Sequence, residues 1–164
     1  MKTLIVLRHA TAEKSGPDGR DVTRRLTAGG RQEASAQGRR LIRSGASPQS
    51  ALVSAAARAV ETAEQVCAEP GLKPRVQVLD RLYNASGHEL LEALGDAPEA
   101  AGTVLLVAHM PGVAELVYLL LPPGQSPDLN FVPGAYALMT LDIPRWAAIA
   151  PASGHLQGMI TPEP

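Results

Sequence analysis

The 164-residue chain holds one cysteine, Cys67. No internal disulfide can form and no cysteine metal cluster exists, so the composition fits a reducing cytoplasm. Cys67 itself reads as filler on a helix face. Aromatic residues make up only 3% of the chain, so Ala, Leu and Val must build the core. Net charge is also missing: 15 basic residues face 16 acidic ones, for a formal −1. That balance offers no global pull toward nucleic acid or an anionic membrane, and any attraction for phosphate must be local. No apolar stretch approaches the roughly 20 residues that span a bilayer. Met1-Lys2 runs straight into an apolar segment, without the charged leader, apolar stretch and cleavage site of a signal peptide. Four histidines without an acidic cluster at ligand spacing give no metal-site pattern.

What remains is an ordinary globular composition, 45% hydrophobic and 19% charged, of a size that forms one domain with a full core. Strand and helix patterns alternate. That predicts a single-domain α/β fold with a mostly parallel central sheet flanked by helices. The predicted strands are Thr3–Leu7, Ala51–Val53, Arg75–Leu79, Thr103–Ala108, Ala135–Leu141 and Trp146–Ala150, the last two forming an antiparallel C-terminal edge. A helix capped by Thr27 runs to about Ser44 and closes at Gly45, although Gly29, Gly30 and Gly38 weaken it. Others run from about Ser54 to Ala68, from the capping box at Ser86 to Gly95, and onward from Pro111. Residues 13–25 form a polar loop around Gly16-Pro17-Asp18-Gly19, and Leu121–Pro133 forms another. The domain spans 1–160, and 161–164 is expected to fray.

Three segments carry chemistry. Arg8-His9 follows the first strand directly, and ligands of open α/β sheets gather at the carboxyl ends of strands. Arginine presents a planar fork of donors to phosphate oxygens. Histidine has a ring nitrogen that can attack phosphorus. Arg58 lies in Ser54-Ala55-Ala56-Ala57-Arg58-Ala59-Val60-Glu61-Thr62, after the second apolar run. His109 lies in Ala108-His109-Met110-Pro111-Gly112, after the strongest internal strand. Taken singly, each has a plainer reading: a solvated Arg-His pair, a surface arginine on an alanine-rich helix, a hydrogen-bonded core histidine. His88 falls inside a capping box and reads as solvated; His155 is given no role. The arginines at 20, 24, 25, 31, 39, 40 and 43 suggest a solvated helix face, part of which rims a cleft.

In this order, each at a strand end, the three segments resemble the histidine phosphatase superfamily, the phosphoglycerate mutase-like enzymes. Their wording and the short chain are most similar to the SixA-type phosphohistidine phosphatases, over roughly residues 1–120. The resemblance implies that His9 is the nucleophile, that Arg8 and Arg58 bind phosphate, and that His109 stabilises the group in flight. Arg24 precedes Leu26-Thr27 as a phosphate-pocket arginine does in SixA-type proteins. A histidine beside two arginines is discouraged from becoming imidazolium, and a backbone carbonyl on its other ring nitrogen would fix the tautomer. The scheme needs neither metal nor cofactor.

Two positions depart from the superfamily pattern. Ala10 stands where glycine is usual. More important, mutases and many phosphomonoesterases carry a carboxylate about 25 residues beyond the second arginine, and here that stretch reads Leu82-Tyr83-Asn84. Asp80 is near but belongs to a strand end; Glu13, Asp18 and Asp21 are substitutes the sequence does not rank. An alkoxide leaving group needs a proton from a general acid, whereas phosphohistidine leaves as neutral imidazole. The expectation is therefore a metal-independent phosphatase acting through phosphohistidine on His9, with protein phosphohistidine as substrate. Two alternatives stand beside it: a phosphatase for a small phosphoester or anhydride, and a module that binds phosphate without turnover. No nucleic acid or membrane partner is expected.

Overall fold

The structure is a computed structural model, and it describes residues 1–163. The first strand, β1 (Lys2–Arg8), is apolar on both faces, and its Leu4, Ile5, Val6 and Leu7 are fully buried. Such a strand must lie inside a sheet covered on both sides. The sheet has six strands in the order β3-β2-β4-β1-β5-β6, with β2 (Ser50–Ser54), β3 (Arg75–Leu79), β4 (Thr103–Ala108), β5 (Tyr136–Leu141) and β6 (Gly154–Ile160). The first four strands are mutually parallel; β5 runs antiparallel to β1, and β6 antiparallel to β5. This is the expected α/β sheet with an antiparallel C-terminal edge.

Helices α1 (Ala28–Ser44) and α2 (Ala57–Cys67) cover one face, burying Ala34, Leu41, Ala63 and Val66 against Ile5, Val53 and Val107. Helices α3 (Gly87–Gly95) and α4 (Gly112–Leu120) cover the other, burying Leu90, Leu94, Leu116 and Leu120 against Leu4, Val6 and Leu106. The predicted caps are present. The Thr27 hydroxyl accepts from the Gly30 amide at 2.9 Å, Ser86 and Glu89 close the capping box, and Gly45 ends α1 in the left-handed region at φ 75°. Gly30, which weakens α1 in propensity, has a reason to be there. A Cβ on it would sit 2.1 Å from the Thr11 carbonyl oxygen, so glycine lets the helix start approach the segment that follows His9.

Two boundaries differ from the sequence expectation. The second helix begins at Ala57 rather than near Ser54, because Ser54 is still the last residue of β2 and its hydroxyl accepts from the Ala56 amide at 3.3 Å. Trp146–Ala150 is not a strand. The Trp146 indole is wholly buried and donates to the Ala101 carbonyl at 2.7 Å. The amides of Trp146 and Ala147 both donate to the Glu99 carboxylate, at 2.9 and 3.0 Å. Amides committed to a side chain cannot join a ladder, and the segment forms a 3-10 turn at Trp146–Ala148. The sixth strand comes later, at Gly154–Ile160. It is an edge strand with a half-exposed face, so His155 and Gln157 interrupt the apolar pattern that marks the inner strands. At the chain end, Arg40 engages the Thr161 carbonyl and the Glu163 carboxylate; Pro164 lies outside the described residues.

Candidate active site

Adjacency of β2, β4 and β1 decides the site. All three are parallel, so their carboxyl ends lie at one end of the sheet. Arg8 is paired in register with Ala108, which sets the two following histidines side by side. The rings of His9 and His109 are 5.2 Å apart between centroids. Arg58, in the first turn after β2, brings its Nε within 3.3 Å of His9 Nε2. Four side chains taken from three distant segments thus share one end of the sheet.

His9 is buried, and its Nδ1 lies 2.7 Å from the Ala10 carbonyl oxygen. A carbonyl can only accept, so Nδ1 carries the proton and Nε2 keeps a lone pair. Burial pushes the ring from an ordinary 6.5 down to about 3; the neighbouring His109, Arg58 and Arg8 push the same way, and only the Ala10 carbonyl opposes them. His9 is therefore neutral at pH 7. His109 is lowered to about 4, first by burial and then by Arg58, against an opposing pull from Asp21. Its Nε2 meets the Ser54 hydroxyl at 2.7 Å, and its Nδ1 is buried with no partner. Arg8 donates from Nη1 to the Phe131 carbonyl at 2.8 Å, and its Nε is also buried and unpartnered. Among the described residues, these two are the buried side-chain polar atoms without a hydrogen bond, and both belong to this cluster.

The supporting contacts were less visible in the sequence. Thr62, one turn along α2 from Arg58, accepts from the Ala10 amide at 3.0 Å and donates to the Arg58 carbonyl at 2.7 Å. One hydroxyl thereby ties Ala10, whose carbonyl orients His9, to the helix that carries Arg58. The Gly134 amide donates to the His9 carbonyl at 3.0 Å, and buried Gln37 holds the Gly134 carbonyl from α1 at 2.7 Å. The four-residue spacing of Arg58 and Thr62 was the available signal for the first contact; nothing local points to Gln37.

The missing carboxylate has a structural counterpart. Tyr83 stands in the acid-less stretch, its ring edge-on to His109 at 5.7 Å and 6.0 Å from the Arg58 guanidinium carbon. Its hydroxyl donates to Asp21 Oδ2 at 2.5 Å. Asp21 comes from the polar loop and also accepts from Arg58 Nη2 at 3.1 Å. Of the three substitute acids, then, Asp21 touches the site. Asp18 is engaged by Arg20 and Thr23 at the surface. Glu13 lines an open cleft of about 710 Å³ with Thr11, Lys14, Arg25 and Thr27. Arg24 reaches the cluster at one remove, with Nη1 2.9 Å from Asp21 Oδ1 and Nε 2.6 Å from the Glu13 carbonyl. His88 and His155 are exposed and away from the cluster. No helix among the described residues is long and apolar enough to cross a membrane.

Comparison with known proteins bears on the family and the fold. No curated protein matches the sequence. Among solved structures, the Nakamurella multipartitia protein designated phosphohistidine phosphatase SixA superposes with a TM-score of 0.85 at 28% identity, covering 98% of this chain and 96% of that one. The protein histidine phosphatase SixA complexed with tungstate gives 0.82 at 26% identity, covering 98% and 97%. An Agrobacterium tumefaciens protein with the same designation gives 0.80 at 21% identity, covering 98% and 99%, a likeness of fold. The family model for the histidine phosphatase superfamily, branch 1, matches residues 4–90, more than half of the chain, including β1 with His9 and the helix of Arg58. The chain belongs to the histidine phosphatase superfamily, branch 1, and is a phosphatase-type hydrolase.

Proposed function

We propose that the protein hydrolyses phosphohistidine on other proteins through a covalent phosphohistidine on its own His9. One observation carries the proposal. His9 is a neutral imidazole whose Nδ1 proton is spent on the Ala10 carbonyl, and its unprotonated Nε2 accepts from Arg58 Nε at 3.3 Å. In the forward step His9 Nε2 attacks phosphorus and the bond to the leaving nitrogen breaks. That nitrogen departs as imidazole, having taken a proton from solvent on its far ring nitrogen. Water then attacks the phosphoryl group, the bond to Nε2 breaks, and inorganic phosphate leaves with the lone pair restored to His9. Charge spreads over three equatorial oxygens during each transfer, and fixed donors meet it. Arg8 Nε, Arg58 Nε and His109 Nδ1 are the donors assigned to those oxygens. Ser54 accepts from the Ala56 amide and lies 2.7 Å from His109 Nε2; in the tautomer this mechanism assigns, the hydroxyl donates to Nε2 and Nδ1–H serves the phosphate. Arg24 adds positive charge at the rim.

The substrate class follows from what the cluster lacks. Near the reacting nitrogen no carboxylic acid stands ready to protonate an alkoxide, and imidazole does not need one. The open cleft with Lys14 and Arg25 begins two residues after His9 in the chain and suits a segment of a phosphoprotein better than an enclosed metabolite. The tungstate held by the SixA relative supports the same anion-binding role here. The single cysteine, Cys67, supports a reducing cytoplasm as the setting of this activity.

The test is a panel of a phosphohistidine peptide, nitrophenyl phosphate and a sugar phosphate. The first two should turn over at least about tenfold faster than the third, roughly 1.4 kcal/mol in barrier. A quench without acid should trap label on His9. Sugar phosphate hydrolysed as fast as the peptide would transfer the function to small phosphoesters. Phosphate bound without turnover of any of the three would make the protein a binding module.

A further inference from the structure

Asp21 is the carboxylate that the sequence offers as a replacement acid. Its contacts suit another task. Oδ2 accepts from Arg58 Nη2 at 3.1 Å and from the Tyr83 hydroxyl at 2.5 Å, and Oδ1 accepts from Arg24 Nη1 at 2.9 Å. The Asp21 backbone carbonyl takes Arg58 Nη1 at 2.9 Å. The residue therefore grips the far end of the guanidinium through both Nη atoms, while Nε is left pointing at His9 Nε2. Three donors on these two oxygens, two of them from arginines, favour the ionised carboxylate over the protonated acid that a leaving group would need. An acid must hold its proton before transferring it.

We infer that Asp21 is a positioning residue that fixes the Arg58 guanidinium with Nε toward the phosphoryl group, and that Tyr83 and Arg24 hold Asp21 in place. The inference deepens the proposed function and rests on it for the identity of the reacting atoms. Arg58 carries five N–H groups. Nε–H turns toward His9, one N–H of each Nη is taken by Asp21, and the second N–H of each Nη stays free for oxygens of the substrate. Without the carboxylate, a long and flexible side chain must be ordered by the phosphate itself, and that loss falls on the transition state. The same three donors hold the Asp21 carboxyl below the usual carboxylate range, with the Tyr83 hydroxyl the largest contributor. Tyr83, in the stretch that lacks a carboxylate, thus places its hydroxyl on a carboxylate brought from a different loop.

Asp21→Asn and Asp21→Ala test the inference, with Tyr83→Phe as a third variant that leaves Asp21 intact. Each is measured against the phosphohistidine peptide, nitrophenyl phosphate and an alkyl phosphate, and each is titrated with vanadate by calorimetry. Positioning predicts that Asp21→Ala lowers kcat by about ten- to a hundredfold, by the same factor for every leaving group, and weakens vanadate binding. Asp21→Asn keeps one acceptor oxygen for Arg58 and should lose less, and Tyr83→Phe less again. A loss confined to the alkyl phosphate would make Asp21 a general acid and overturn the inference. Unchanged turnover of nitrophenyl phosphate in both Asp21 variants would overturn it as well. So would tighter vanadate binding, because Asp21 would then be competing with the anion. If the wild-type protein hydrolyses none of the three, the proposed function fails. The vanadate titration then decides Asp21 alone: weaker or lost binding in Asp21→Ala relative to the wild type sustains it, and equal binding, or a wild type that binds no vanadate, rejects it.

Discussion

The carboxyl end of the sheet and the Trp146 corner bury polar groups in opposite ways. At the corner the buried indole donates to Ala101, and the two amides of the turn donate to Glu99. At the sheet end Arg8 Nε and His109 Nδ1 are buried with no partner, and His9 is kept neutral by burial. An unsatisfied buried polar atom costs about 1–3 kcal/mol, so the fold carries this cluster at some expense to its stability. The corner is built for holding the molecule together. The sheet end leaves two buried atoms unpaired, and under the proposed function an oxyanion is what pairs them.

If that contrast is right, the two regions should fail in different assays. The largest effect belongs to His9→Ala, which should reduce turnover by about 10⁴-fold or more while the protein still melts cooperatively; steady-state hydrolysis and calorimetry check the two halves. Trp146→Ala should do the reverse, destabilising by about 3–5 kcal/mol in urea unfolding with kcat per folded molecule unchanged. A Trp146 variant that lost activity in proportion to nothing but its own folded fraction would fit; one that lost kcat while fully folded would erase the distinction. Arg58→Ala should raise the barrier by roughly 2–4 kcal/mol, the scale of one lost oxyanion donor, and should weaken tungstate or vanadate binding.

A pH dependence completes the comparison. His9 and His109 have native values lowered to about 3 and about 4, from 6.5 in the open chain. Between those limits the unfolded chain binds protons that the native state refuses. Stability therefore falls as pH drops through 6.5, and these groups stop contributing to the slope below about 4 and about 3. Urea melts from pH 4 to 8 should show this acid-side loss, and His9→Asn should flatten it. The acidic limb of kcat/KM should likewise show no histidine-like step at 6.5 from the nucleophile. A slope unchanged by His9→Asn would mean that the buried ring is not the titrating group.

How much was legible beforehand divides along a physical line. The inner strands could be read because β1, β2 and β4 are covered on both faces and show unbroken apolar runs. The caps at Thr27, Ser86 and Gly45 could be read because capping is settled within four residues. The Arg8-His9, Arg58 and His109 segments were recognisable by order, and the parallel sheet joins them at one end. The Trp146 turn was misread as a strand because its conformation is decided by Glu99 and Ala101, more than forty positions away. Strand β6 was missed because an edge with one open face tolerates His155 and Gln157.

Sequence alone determined the inner strands, the helices, the caps at Thr27, Ser86 and Gly45, and which side chains stand at strand ends, since these follow from backbone propensity, apolar period and short-range hydrogen bonds. Tertiary structure decided what those side chains mean to one another. The neutrality of His9 comes from burial and from cations contributed by other segments. Thr62 couples two motifs only because α2 packs beside the start of the post-β1 loop. Asp21, one of three equivalent acids in the sequence, is singled out because a loop folds it onto Arg58 and Tyr83. Charge, burial and contact across tens of residues are properties of the folded arrangement, and no local pattern encodes them.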